Sequence, residues 1–335
     1  MNIRTVLRSV PGKCAVLLFL LLLLAGSMML SLRLGSLKLS LTQIIEILWN
    51  RPAGIRYQIL CNIRLPRILA GTLVGAGLAV SGAVLQGVMR NPLAAPGIIG
   101  VSSGGGLAGI LVMLAFPQYS ILLVPAAFAG ALITALLVYL LAWKQGVSPV
   151  RLILAGVAVA AMLGAISSAV LLFNAEKAGG VLDFTIGSLT ARSWKHLQFS
   201  AWYLLAGLGA AFLFSEKLNI LALGDEIAKG LGLHVERVRF IFIALAALLA
   251  ASAVSIAGLL GFVGLIAPHM VRMVIGSDNR FLLPGSALFG AVLVTACDTA
   301  GRLAIEPSEL PAGIIMALLG PPFFLWLLRG YRYEA

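Results

Sequence analysis

Residues 215–239, SEKLNILALGDEIAKGLGLHVERVR, decide how the chain is read. They mix Glu216, Lys217, Asp225, Glu226, Lys229, His234, Glu236, Arg237 and Arg239 with Leu and Ile at helical spacing, in a sequence that is 61% hydrophobic and 11% charged. So charged an island must join segments that are not in water. A mean hydropathy of +1.05 over 335 residues leaves more apolar surface than a water-soluble domain can expose. The bilayer core is roughly 30 Å thick and takes about 20 apolar residues per helix. The runs on both sides of the island are far longer than the roughly 10-residue alternating strands of a membrane barrel. The fold class is therefore an all-α polytopic membrane protein, each helix satisfying its own backbone against lipid.

Outward from the island the chain divides into about ten spans. They cover 14–32, 66–89, a third ending near 115, then 121–143, 152–173, 197–214, 240–257, 259–275, 281–300 and 311–328. The eighth is the shortest and carries Pro268. Arg4, Arg8 and Lys13 before the first run resemble a signal peptide, but the run is long and lacks a clean cleavage site, so an uncleaved first span is expected. Between spans one and two, Leu41, Ile44, Ile45 and Leu48 recur at helical spacing, which predicts an amphipathic helix lying along the outer surface. With both termini in the cytoplasm, fourteen of the 24 Lys and Arg residues fall on the inner side, the sense of the positive-inside rule. Six of the outer ten crowd into the connection before span two.

At a shift of 176, AVSGAVLQGVMRNP (79–92) overlies SIAGLLGFVGLIAP (255–268). Five spans per half is an odd number, so halves 1–194 and 195–335 are expected to be inverted relative to each other.

The chemistry-bearing residues exclude more than they propose. The net charge of +12 is scattered between apolar runs rather than gathered on one aromatic-lined face, which speaks for membrane topology and lipid contact and against nucleic acid. Cys14, Cys61 and Cys297, like His196, His234 and His269, show no metal-ligand spacing. The glycines at 100–106 lack the Gly-Lys-Ser/Thr of a phosphate loop and follow no strand, so the chain should hydrolyse no nucleotide itself. Pairs such as Gly71/Gly75 and Gly100/Gly104 let helices approach closely. A hinge or translocation path through Asn91, Pro92, Gly104, Gly105, Gly106 and Pro268 is the sharper alternative. Asp298, the nearest case to a buried carboxylate, has Arg302 one turn beyond it, a local ion pair. With no relay of buried charges and no catalytic constellation, an ion-coupled secondary transporter and a membrane-embedded enzyme are both disfavoured. What remains is a pore-forming bundle whose engine is a separate subunit.

Four blocks make the reading specific: IRLPRILAGTLVGAGLAVSGAVLQGVMRNPLAAPGIIGVSSGGG (63–106), LGDEIAKGLGLHVERVR (223–239), GLLGFVGLIAPHMVRMVIGSDNRFLLPGSALFGA (258–291) and PSELPAGIIMALLGPPFFLWLL (307–328). Over nearly its whole length the chain resembles FecCD-type permeases, the iron-chelate and cobalamin permeases of bacterial ABC importers. The resemblance implies a second permease subunit, identical or a paralogue, around a central path in the bacterial cytoplasmic membrane. It also implies two cytoplasmic ATPase subunits, which hold the ATP and Mg while this chain binds no cofactor, and an extracytoplasmic substrate-binding protein. The implied cargo is a ferric siderophore, with haem or cobalamin as alternatives.

By the same resemblance, Leu223, Gly224, Asp225, Glu226, Ala228, Gly230, Leu231, Gly232 and Leu233 form the ATPase-coupling segment. Asp225 and Glu226 suit a helix N-terminus, Gly230 and Gly232 are expected to break the helix, and Leu231 and Leu233 to offer apolar knobs. Arg64, Arg67 and Arg302 are implied to meet acidic residues of the binding protein.

Overall fold

The computed structural model describes residues 7–35, 37–50, 54–144, 146, 148–305 and 308–330. The helices used below are α1 (Val10–Arg33), α2 (Leu41–Asn50), α3 (Leu65–Met89), α4 (Val101–Ala115), α5 (Leu123–Ala142), α6 (Pro149–Phe173) and α7 (Trp194–Leu213). They continue with α8 (Ser215–Ala222), α9 (Asp225–Gly230), α10 (Val235–Ala257), α11 (Val263–Ile275), α12 (Asn279–Ala304) and α13 (Ala312–Gly330). Local chemistry sets several starts. The Ser9, Ser148 and Asp278 side chains each accept a first-turn backbone N–H, and Pro11, Pro66 and Pro149 stand where a helix has no N–H to lose.

Six helices among the described residues are long and apolar enough to cross a membrane: α1, the continuous Ile55–Met89 that ends in α3, α5, α6, α10 and α12. The pair α7 and α8, bent by 58°, makes a seventh if counted as one broken span. Three shorter apolar helices, α4, α11 and Ala312–Leu325 within α13, stand where the sequence places the third, eighth and tenth spans. The eighth starts at Val263 rather than 259, because residues 258–262 form a turn with Gly258 at φ 73° and Phe262 at φ 65°. The amphipathic helix forms as α2, with Ile44 and Ile47 buried while Leu41, Ile45 and Leu48 face outward.

The helix α3 is the axis of the bundle: 83% of its apolar window is buried, against 11% for α6. It packs on α10, α11 and, most extensively, α12. At the α3–α12 crossing a Cβ on Gly75 would strike the Gly290 carbonyl, and one on Gly290 the Gly75 carbonyl, so both glycines are required for the approach. The repeat at shift 176 does not hold as a helix-for-helix match, since Gly82 lies inside α3 while Gly258 lies in a turn. The halves correspond instead by element order: long α3 then short α4, long α10 then short α11. Each short helix is entered through a left-handed residue, Gly100 at φ 73° and Phe262 at φ 65°.

Side-chain partners sort the charged residues into two ends. Arg64, Arg67, Asp298, Arg302 and Glu309 gather at one, with Ser31 and Leu32 of α1. Lys13, Arg90, Asp225, Glu236, Arg239 and Asp278 gather at the other, with Asn219 of α8.

Candidate functional site

At the first end two guanidinium groups, those of Arg67 and Arg302, share the Asp298 carboxylate, and Arg67 also meets Glu309. Arg67, 6% exposed, donates through Nε to Asp298 Oδ1 and Oδ2 at 3.1 and 2.9 Å and through Nη2 to Oδ1 at 2.9 Å. Its Nη1 reaches Glu309 Oε2 at 2.7 Å. Asp298 thus takes its main partner from α3, while Arg302, one turn along α12, stands 3.6 Å away. The planar guanidinium fork matches the carboxylate edge, which an Arg at i+4 on the same helix cannot present as well.

Arg302 donates to the Ser31 carbonyl and hydroxyl, and Arg64 to the carbonyls of Leu32 and Leu37 at 2.7 and 2.5 Å. These contacts tie α1, α3, α12 and the loop before α13 together. The picture of Arg64, Arg67 and Arg302 reaching outward changes accordingly: all three are at most 8% exposed, and the hydrogen bonds described here are to groups of the chain itself. Glu309 is the member of the cluster open to solvent, its side chain 38% exposed.

At the second end residues 215–230 fold as two short helices, α8 and α9. The break lies at Gly224, whose φ of 115° interrupts the turn between α8 and α9. The stop lies at Gly232, not Gly230. Gly232 sits at φ 80°, its N–H meets the Lys229 carbonyl at 2.9 Å, and the Leu233 N–H meets the Ala228 carbonyl at 2.9 Å. Those two bonds are a Schellman cap with glycine at its left-handed position. Gly230 is the last residue of α9, and a Cβ there meets nothing within 4 Å.

The apolar face also differs from the expected one. Leu233 packs against the core, whereas Leu223, Ile227 and Leu231 are 57%, 56% and 60% exposed. Ile227 is the residue missed; its spacing from Leu231, one turn along α9, is the signal that points to it.

Three anchors hold the segment to the bundle. Arg239 of α10 donates to Asp225 Oδ1 and Oδ2 at 2.7 and 2.8 Å and to Glu236 at 2.7 Å. Arg90, the left-handed cap of α3 at φ 49°, approaches Asp225 at 3.7 Å. Asn219 donates to Asp278 at 2.9 Å and accepts from the Asn279 backbone and side chain at 2.8 Å. The Arg280 and Asn219 hydrogen bonds hold the Asp278 carboxyl well below the usual carboxylate range, although its partial burial works against them. The ends of α3, α10 and α12 are therefore the parts that a movement of the segment would drag.

Beside the α3 cap lies a cavity of about 250 Å³ whose lining includes Asn91 and Pro92. Gly104, Gly105 and Gly106 lie away from it, in α4. A Cβ on Gly104 would strike Thr134 Oγ1, one on Gly105 would crowd Val254, and one on Gly106 Leu259, which is the close-packing role rather than the hinge. Pro268, buried within α11, has no N–H for the Gly264 carbonyl, and Gln86 Nε2 of α3 donates to that carbonyl at 3.4 Å. No group of three His, Cys, Asp or Glu that could hold a metal ion occurs among the described residues.

Comparison with known proteins points one way. The sequence model of the FecCD transport family matches residues 21–330. The Fe(3+)-citrate import system permease protein YfmE of Bacillus subtilis is 40% identical over 320 residues, which covers 94% of each chain. The cobalamin import system permease protein BtuC of Halobacterium salinarum is 45% identical over 276 residues, 82% of this chain and 74% of that one. Among solved structures, an inward-facing chain described as of the metal-chelate ABC transporter type superposes with a TM-score of 0.83 at 34% identity, covering 95% of this chain and 99% of the other.

Proposed function

The chain belongs to the FecCD transport family, and on that premise we propose that it is the permease subunit of an ATP-driven importer carrying a ferric siderophore. The observation that carries the reading is the exposed Leu223/Ile227/Leu231 face on a charged two-helix segment at one end of an apolar bundle. An apolar stripe bounded by charge is what a groove on a partner protein takes up. The partner is an ATPase subunit, and the Asp225 end faces the cytoplasm. The cargo assignment rests on the relatives, whose names include ferric citrate, iron hydroxamate, haemin and cobalamin systems.

In mechanism, nucleotide-driven movement of the ATPase shifts α8 and α9. The Asp225–Arg239, Arg90 and Asn219–Asp278 contacts pass that shift to α10, α3 and α12. At the Arg67 end a substrate-binding protein docks on a rim that Arg64, Arg67 and Arg302 hold in shape, with Glu309 at its surface. A second permease subunit completes the path against the sparsely buried α6. Binding energy must differ between the states for access to alternate.

Reconstitution tests this. Vesicles holding the chain with its ATPase and binding protein should accumulate radioactive iron from a ferric siderophore only when ATP is inside. Uptake driven by an ion gradient without the ATPase would overturn the importer reading. ATP-driven uptake of haem or cobalamin instead would overturn only the cargo.

A further inference from the structure

The helix α2 stands between two spans, α1 ending at Arg33 and the continuous second-span helix beginning at Ile55, so its ten residues lie at the membrane boundary of the Arg67 end. It has three faces rather than two. Ile44 and Ile47 are buried on the chain, in a cluster with Leu39 and Leu60. Thr42, Glu46 and Asn50, one turn apart, make an exposed polar stripe. Leu41, Ile45 and Trp49 make a second stripe at the same spacing, with Leu48 beside it, and all four are exposed, Trp49 to 85%.

Water over the whole free side would leave the second stripe unburied, at a cost that grows with its apolar area. Trp, with an apolar body and one N–H, favours the headgroup level of a bilayer. The flanks carry the matching charge. Lys38 before the helix and Arg56 after it are exposed and make no ion pair among the described residues.

We propose that α2 is an interfacial anchor. Its Leu41/Ile45/Trp49 stripe sits in the headgroup and upper acyl region of the leaflet at the Arg67 end, its polar stripe faces water, and Lys38 and Arg56 meet anionic phospholipid headgroups.

The anchor is joined to the charged rim. Ile44 and Ile47 pack in one cluster with Leu60, Leu32 and Leu37, and Arg64 donates to the carbonyls of the last two. The depth of α2 in the bilayer therefore sets the height at which the Arg64, Arg67 and Arg302 rim stands. That consequence rests on the docking role under Proposed function; the insertion does not.

Trp49 makes the insertion measurable. With the full chain in phosphatidylcholine vesicles, subtracting the emission of Trp49→Phe from that of the wild type isolates one of the five tryptophans. That signal should be quenched more strongly by lipids brominated near the glycerol end of the acyl chain than by lipids brominated near the methyl end, and only weakly by iodide in the water. Ile45→Asp should reduce the bromine quenching at least about twofold, with thermal unfolding checking that the variant is folded. Iodide quenching that disappears when the binding protein is added would give the stripe to that protein. A signal reached by neither bromine nor iodide would give it to a second copy of the chain. Either result overturns the anchor.

Brominated phosphatidylglycerol diluted into plain phosphatidylcholine should quench about fivefold more per lipid than brominated phosphatidylcholine diluted alike, and Lys38→Gln combined with Arg56→Gln should remove the difference. Equal quenching by the two lipids in the wild type overturns the headgroup contacts. In lipid nanodiscs, Ile45→Ser combined with Trp49→Ser should weaken the binding protein about tenfold, while in detergent variant and wild type should bind it equally. Equal affinity in nanodiscs overturns the link to the rim and leaves the insertion standing.

Discussion

The two ends of the bundle treat charge in opposite ways. At the Arg67 end guanidinium and carboxylate groups are drawn inside and matched to each other, with Arg64, Arg67, Asp298 and Arg302 each less than a tenth exposed. At the Asp225 end the carboxylates stay partly in water and apolar side chains are turned out, Leu223, Ile227 and Leu231 above half exposure. An end that satisfies itself is built to keep a shape. An end that exposes a stripe of Leu and Ile is built to be covered. The contrast predicts where a substitution should cost folding and where it should cost partnership.

The largest effect is expected at Asp298. Asp298→Ala leaves Arg67 and Arg302 buried with only the solvent-facing Glu309 between them. Removing one partner of a buried pair typically costs about 3–5 kcal/mol, which thermal unfolding in detergent should read as a clear loss of stability. A loss below about 1 kcal/mol would mean that water screens the cluster, and the contrast between the ends would fail.

Next comes Ile227→Asp, which should behave in the opposite sense. Stability of the chain should move by no more than about 0.5 kcal/mol, as for an ordinary surface position. Affinity for the ATPase subunit, measured by titration, should fall by about 2 kcal/mol, roughly thirtyfold, as for a buried interface anchor. Unchanged affinity would remove the stripe from the coupling role.

The bundle itself was legible because hydropathy alone places apolar helices: each of the ten expected runs contains one, six of them long enough to span, one only as the bent pair α7 and α8, and three shorter. Helix ends needed backbone geometry. The start of the eighth span moved to Val263 because Phe262, not a glycine, takes the left-handed turn, and nothing in its residue type announces that. Spacing identified Arg302 as the neighbour of Asp298, since i and i+4 share a helix face. It could not show that Arg67, 231 positions away, would make the closer contact, because the α3–α12 crossing is tertiary. The importance of Asn219, an amide between the Asp278 carboxylate and the α12 backbone, is invisible for the same reason. Gly230 and Gly232 looked equivalent on the page, and only φ separates them.

That separation sets the third prediction. Gly232→Ala forces a Cβ into the left-handed region and should cost about 1–2 kcal/mol. Gly230→Ala, in helical conformation with open space around it, should be neutral or stabilising by about 0.5 kcal/mol. Gly230→Trp should leave the isolated chain folded and uncouple ATP hydrolysis from uptake in the assembled importer, because the added bulk points away from the chain. Normal coupling with normal assembly would show that the partner does not cover this face.

The smallest effect concerns the join between the segment and α12. Asp278 caps α12, accepts from Asn219 and Arg280, and lies 3.7 Å from Lys13. Its folded-state pKa is depressed, chiefly by the Arg280 hydrogen bond. A carboxylate with a lowered folded pKa adds stability that is fully present above the unfolded value, 3.8, and is lost as pH falls toward the folded one. Asp278→Ala should therefore cost about 1 kcal/mol near neutral pH, the usual worth of such a cap. The gap from wild type should stay constant down to about pH 5 and narrow as pH falls below about 4. Urea unfolding of both proteins across that range measures it. A gap that is the same at every pH would assign the cost to lost packing rather than to the charge, and the second end would then be held to the bundle by Asp225 and its two arginines alone.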